Sequence, residues 1–163
     1  MFYIKIRIAG KIYDSLANGP GMRYVLFTQG CTIHCDGCQN KHTWDLNSGQ
    51  EVEIKDIIDD IFNDVLIDGI TISGGDPIEQ PQSLLELCKE IKNRDNNMNI
   101  MIYTGRTYEE LVSLNNDCIN NILKTADYLV DGRFEKNNTD NAIRYTGSAN
   151  QRIIDLRQVI KNV

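Results

Sequence analysis

At 163 residues the chain is the size of one domain with a single core, and 41% hydrophobic with 25% charged residues is an ordinary globular composition, which argues against disorder. A net charge of −6, with no cluster of Lys and Arg, argues against a nucleic-acid partner, because a phosphate backbone is bound chiefly through such clusters. No apolar run approaches the ~20 residues a bilayer span needs, and an odd count of five cysteines without a signal sequence points to a reducing, cytoplasmic setting with no membrane attachment.

Phe2, Ile4, Ile6 and Ile8 recur at period two with Tyr3, Lys5 and Arg7 between them, which predicts a half-buried strand, a candidate for a sheet edge, followed by a loop. Within that loop Asn18-Gly19-Pro20-Gly21 is a turn signal. Arg23 to Thr28 predicts a buried strand that opens into Gly30 and a cysteine-rich loop. From Glu51 to Leu66, Ile54, Ile57, Ile58, Ile61, Phe62, Val65 and Leu66 fall at helical spacing with Asp59, Asp60 and Asn63 opposite, which predicts an amphipathic helix. Gly69 to Ser73 is a short strand ending in Gly74-Gly75-Asp76-Pro77, and Gln82 to Asn93 a helix whose inner face includes Cys88, expected in the core. The strand Ile100 to Tyr103 leads to Thr104-Gly105-Arg106. A helix follows from Tyr108 to Leu114, interrupted or capped by the Asn-rich stretch Asn115 to Asn121, where Cys118 is expected to be an incidental thiol. Tyr128 to Val130 is the next strand, ending at Asp131-Gly132-Arg133, and a last apolar run spans Ile153 to Leu156.

Strand, loop and helix repeat in that order, the mark of an α/β chain with a parallel sheet and right-handed crossovers. A full eight-stranded barrel takes about 250 residues. The chain is therefore expected to form a single domain over residues 1–163, a partial, open-sided parallel β/α barrel. The cysteine loop, Gly74 to Pro77, Thr104 to Arg106 and Asp131 to Arg133 all follow the C-terminal ends of strands, the edge at which such sheets bind ligands.

Cys31, Cys35 and Cys38 place three thiols within eight residues. Thiolates converge on a soft metal or an iron-sulfur cluster, and a cubane held by three of them leaves one iron without a protein ligand, free to bind a small molecule. A structural zinc site using Cys31, Cys35, Cys38 and His42 is the competing reading, and spacing alone does not separate the two. For a ligand carrying an amino group, a carboxylate and an adenine, Gly74 and Gly75 offer close backbone approach and Asp76 a carboxylate. Arg133 could pair with a carboxylate, and Asp131 with a ribose hydroxyl or a cation. No P-loop, no HExxH and no Ser-His-Asp context is present, so hydrolytic chemistry has no support.

The motif Cys31-x3-Cys35-x2-Cys38 resembles the cluster motif of the radical S-adenosylmethionine superfamily, and Asn18-Gly19-Pro20-Gly21-Met22-Arg23 resembles a signature of the glycyl-radical activating enzymes. Together with Thr43-Trp44, Ser73 to Pro77 and Gly147 to Arg152, nearly the whole chain is similar to the activating proteins of anaerobic (class III) ribonucleoside-triphosphate reductases. The resemblance implies a fold of the radical S-adenosylmethionine type, with Cys31, Cys35 and Cys38 holding a [4Fe-4S] cluster whose fourth iron takes S-adenosylmethionine. Reductive cleavage would then give a 5′-deoxyadenosyl radical that removes hydrogen from a glycine of the partner reductase, with reduced flavodoxin or a similar protein as electron donor. It also implies that Gly74, Gly75 and Asp76 receive the methionine amino group, and that Gly37, Cys38 and Gln39 meet the adenosine portion through backbone. Asp131 and Arg133 match more loosely, at a strand end that contacts ribose, carboxylate or cation. Gly37 stands where many relatives have an aromatic residue, and Asp76 where the superfamily often has Glu.

Overall fold

The structure, a computed structural model, describes residues 4–63 and 66–161; Phe2, Tyr3 and Val65, assigned above to a strand and a helix, lie outside the described residues. Seven strands form one sheet in the order β3-β1-β2-β4-β5-β6-β7. β2 (Arg23–Thr28), β4 (Gly69–Gly74), β5 (Asn99–Tyr103) and β6 (Tyr128–Asp131) make its parallel centre. Antiparallel strands finish both sides: β1 (Lys5–Ser15) on β2, β3 (Gln50–Glu53) outside β1, and β7 (Arg152–Asp155) on β6. The sheet stays open and does not close into a barrel, so the open-sided α/β architecture expected from chain length is the one found, with antiparallel borders added.

Three local expectations are corrected. β1 runs on to Ser15, where a loop was expected after Ile8, and it is not the edge, because β3 pairs with its first four residues. Its second half is mostly exposed and carries irregular register between Ile8 and Gly10 and again between Ile12 and Ser15, which erases the alternation that marks a strand. Residues Gln50–Glu53 are a strand and not the first turn of a helix; Arg7 lies opposite Glu51 and binds it at 3.3 Å, and the helix proper, α1, is Ile54–Asn63. The Asn-rich stretch starts a helix instead of ending one. Asn116 caps α4 (Asp117–Thr125) by accepting from the Ile119 amide, just after α3 (Tyr108–Ser113).

The core lies between one face of the sheet and the helices. Ile54, Ile57, Ile58 and Ile61 of α1 pack with Leu84, Leu87, Cys88 and Ile91 of α2 (Pro81–Arg94) and with Ile119 and Ile122 of α4, over Leu26, Ile72, Ile102 and Leu129 of the strands. Cys88 is buried there as expected, and Cys118 packs at the rim of the same core. Strand alternation sends Arg23 and Val25 to the other face, where Gly19 of the Asn18–Gly21 turn lies against the Arg23 side chain. The Arg23 side chain, 1% exposed, donates to Thr71 Oγ1 at 2.7 Å, the Ile70 carbonyl at 2.8 Å, Asn99 Oδ1 at 2.9 Å and the Pro20 carbonyl at 3.0 Å. The Asn18 to Arg23 element thus closes the second face of the sheet by tying three strands together.

Candidate metal centre and cofactor cleft

Parallel register brings four strand ends to one rim. Thr28 of β2 lies beside Gly74 of β4, Ile72 beside Ile102 of β5, and Tyr103 beside Val130 of β6. The chain leaving each end lines one open cleft. Cys31, Cys35 and Cys38 line it from the first segment, Gly74 to Asp76 from the second, Thr104 and Gly105 from the third, and Gly132 from the fourth. All three cysteines are free and half-buried.

The cysteine loop is held by backbone. Gly30 donates to the Thr43 carbonyl at 2.7 Å and Cys31 to the Trp44 carbonyl at 3.1 Å, so the loop closes on the short 3-10 turn Lys41–Thr43. Within it the Cys38 amide donates to the Cys35 carbonyl at 3.1 Å, and the Cys38 sulfur accepts from the Asn40 amide at 3.3 Å. His34 adopts a φ of 54° and stacks on Trp44, ring centroids 4.1 Å apart and 9° from parallel. Burial pushes the Cys31 thiol upward, opposed by hydrogen bonds from the His34 and Ile33 backbone.

The turn after β4 is clamped to that loop. Gly75 donates to the Thr28 carbonyl at 2.9 Å and Asp76 to the Gly30 carbonyl at 2.8 Å. Gly74 needs its lack of a side chain twice over, since its φ is 116° and a Cβ there would fall within 2.4 Å of Thr28 backbone atoms. The Asp76 carboxylate, 1% exposed, points back into the protein. It accepts from the Ile78 amide, the Gly105 amide, the Thr104 hydroxyl and the Arg106 guanidinium, all between 3.0 and 3.1 Å. Burial raises its pKa, and Arg106 with these donors opposes the rise. Arg106 continues to Glu79 at 3.2 Å, and Glu79 accepts from the Thr32 amide at 2.9 Å and hydroxyl at 2.6 Å, next to Cys31. Against the upward push of burial, Thr32 and Arg106 hold Glu79 below the usual glutamate range.

The remaining candidates are placed as follows. Asp131, 1% exposed, accepts from the Tyr108 amide at 2.8 Å and from Arg152 at both oxygens, so its carboxylate faces the protein and its neighbour Gly132 lines the cleft. Arg133 pairs with Glu110 at 3.1 Å on the surface, each half-exposed. Gly37 packs against the Lys136 stem, and Gln39 is exposed; neither lines the cleft, whereas Asn40 does. His42 lines a separate surface pocket with Lys11 and Phe27. Phe134, which lines the cleft, and Glu79, which joins Arg106 behind it, were not singled out from sequence. Gln151 belongs to the Gly147 to Arg152 segment and straps two loops, accepting from Gly147 and Ser148 amides and donating to the Gly132 carbonyl.

Residues 17–154 match the family model described as a 4Fe-4S single cluster domain. The chain is 40% identical over 151 residues to the anaerobic ribonucleoside-triphosphate reductase-activating protein of Salmonella typhi, covering 87% of this chain and 94% of that one. It is 37% identical over 150 residues to the protein of that name in Escherichia coli (strain K12), with the same coverage, and 33% identical over 148 residues to that of Enterobacteria phage T4, covering 88% and 90%. The chain belongs to the anaerobic ribonucleoside-triphosphate reductase-activating protein family. A crystal structure of QueE from Escherichia coli shares the fold, with a TM-score of 0.53 at 19% identity over 63% of this chain and 54% of that one, so the chain spans about half of QueE.

The matched family model brings a [4Fe-4S] cluster to this chain, and the relatives are named as activating proteins of the anaerobic reductase. The residues present suit a cluster. Three free thiols line one cleft, and the buried Nε1–H of Trp44, which also lines it, has no hydrogen-bond partner among the described residues. A single ion does not suit them. Among the described residues no three His, Cys, Asp or Glu side chains converge closely enough to hold one, and His42 lies in another pocket. No helix among the described residues is long and apolar enough to cross a membrane.

Proposed function

We propose that this chain installs a glycyl radical on an anaerobic ribonucleoside-triphosphate reductase, by reductive cleavage of S-adenosylmethionine at a [4Fe-4S] cluster bound through Cys31, Cys35 and Cys38. The observation that carries this reading is that those three thiols, from the end of β2, and Gly74 and Gly75, from the end of β4, line one open cleft. When bound, the two cofactors supply one chemistry: one-electron cleavage of the sulfonium to methionine and a 5′-deoxyadenosyl radical, which takes a hydrogen atom from a glycine α-carbon of the partner.

The chain's own residues bind, orient and shield. Gly74 and Gly75 let backbone carbonyls reach the methionine ammonium without an intervening side chain. Asp76 acts from behind, as a positioning residue: its carboxylate is committed to Thr104, Gly105 and Arg106, and its backbone amide holds Gly30. The adenosine portion lies at the Cys38 end of the loop, where Gly37 and Gln39 flank the cysteine without lining the cleft themselves. Asp131 sets the strand end through Arg152 and Tyr108, which leaves Gly132 lining the cleft, and Arg133 follows on the surface, paired with Glu110. The rim between β4, β5 and β6 is open, as it must be when the substrate is a loop of another protein. Residues 1–163 act as one domain, in support of which a single sheet runs from β3 to β7. The setting is cytoplasmic, with free thiols and reduced flavodoxin or a similar protein as donor.

The test is to mix anaerobically purified protein with reductase, reductant and S-adenosylmethionine and to look for a glycyl radical by electron paramagnetic resonance. A radical on the reductase supports the reading. Cys35→Ala is expected to abolish 5′-deoxyadenosine formation, and undiminished formation in that variant refutes it.

A further inference from the structure

Trp44 carries a feature that neither the fold nor the cysteine spacing explains. Its backbone carbonyl holds the Cys31 amide at 3.1 Å, the residue lines the cleft together with the three cysteines, and its Nε1–H is the only buried side-chain polar atom without a partner among the described residues. A buried indole N–H normally finds an acceptor, because leaving it unmade costs ~1–3 kcal/mol. The ring is not free to turn in search of one: His34 stacks on its face, and the Lys41 ammonium lies 5.8 Å from the ring centroid. His34 belongs to the cysteine loop itself, between Cys31 and Cys35, so loop and indole are fixed as a unit.

We propose that the missing acceptor is a sulfur of the bound cluster, either a cysteine thiolate or an inorganic sulfide, and that Trp44 is a positioning residue that raises the cluster's reduction potential. Hydrogen bonds to cluster sulfurs are among the levers that set such potentials, since the reduced cluster carries more negative charge and gains more from a donor. The inference rests on the cluster reading above and adds a role that activity alone would not reveal.

Trp44 is the chain's only tryptophan, which gives a direct probe. Protein grown with nitrogen-15 in the indole ring is loaded with iron and sulfide, reduced, and examined by pulsed electron paramagnetic resonance. A nitrogen-15 coupling to the reduced cluster, present without S-adenosylmethionine, is expected. In parallel Trp44→Phe, which keeps a ring for His34 to stack on, is titrated against redox mediators. Its one-electron reduction equilibrium is expected to be about tenfold less favourable, ~59 mV more negative. Intact cluster content with no nitrogen-15 coupling in the native protein overturns the proposal whatever the variant does, and so does a coupling seen only after S-adenosylmethionine is added. Failure of the native protein to take up iron and sulfide refutes the cluster reading itself, and the two failures are thereby distinct.

Discussion

Gly75→Ala tests whether the β4 turn and the cysteine loop are packed backbone against backbone. Gly75 has no positive φ, so alanine brings no conformational strain there, and the whole effect comes from space. An added Cβ would stand 2.3 Å from the Gly30 carbonyl oxygen, 2.8 Å from its carbon and 2.9 Å from the Thr43 carbonyl oxygen. The nearest of these is about 1 Å short of ordinary contact. All three are backbone atoms, which no rotamer change can move aside. Relief requires the cysteine loop to lift, loosening the hydrogen bonds from Gly75 to Thr28 at 2.9 Å and from Asp76 to Gly30 at 2.8 Å. Overpacking of ~1–3 kcal/mol and ~0.5–1.5 kcal/mol for each of the two weakened bonds give a loss of about 2–6 kcal/mol. In anaerobic urea titrations the midpoint should fall by about 1–3 M at constant slope, and iron bound per chain should fall with it. Gly10→Ala is the control. Nothing lies within 4 Å of a Cβ there, and its stability should stay within about 0.5 kcal/mol of native. A Gly75→Ala protein with native midpoint and native iron content would refute the close-packed turn.

Asp131→Asn should lower stability by about 2–4 kcal/mol, because Arg152 and the Tyr108 amide lose their charged acceptor in a buried setting; equilibrium dialysis of the folded variant against S-adenosylmethionine should show native affinity, and a large loss of affinity at native stability would return the carboxylate to the ligand. Asp60 gives a pH signature far from the cleft. Against the upward push of burial, hydrogen bonds from Lys11 at 2.6 Å and from Tyr13 and Tyr24 at 2.8 Å hold it below its usual 3.8. A depressed carboxylate stabilises above its unfolded pKa and loses that contribution as pH falls through the folded one. The stability gap between native protein and Asp60→Asn should therefore be full at pH 7 and shrink below about pH 4 in urea titrations, and a gap that persists unchanged into acid would contradict the assignment.

Where the chain's hydrophobic signal matches its packing, sequence reading reached the structure. The isoleucines of α1 and the leucines of α2 sit on the core face their spacing marks, and the short apolar runs of β2, β4, β5 and β6 are the buried strands of a parallel centre. The second half of β1 was hidden because Lys11, Ile12 and Tyr13 stay largely exposed and Asp14 takes a φ of 56°, so no face is selected. β3 was hidden because its pairing rests on backbone and on Arg7 opposite Glu51, neither of which leaves an apolar period. For the cleft, the Cys31 to Cys38 loop, Gly74 to Asp76 and Gly132 were legible as segments following strand ends. The direction of a carboxylate was not. Asp76 and Asp131 have the residue type of a ligand contact, yet each turns inward to an arginine, Arg106 or Arg152, that lies 30 or 21 positions further along the chain. Only the turn after β5, which sets Thr104 and Arg106 beside Asp76, decides that orientation.

The walls of the cleft come from segments as far apart as Cys31 and Gln151, each delivered by a different strand of the sheet. During synthesis the thiols emerge long before the chain that will face them, so the earliest part of the protein holds the sulfurs with nothing opposite. A truncated product lacking β6 and β7 would therefore carry the full cysteine motif without Gly132 and Gln151, the wall that faces it.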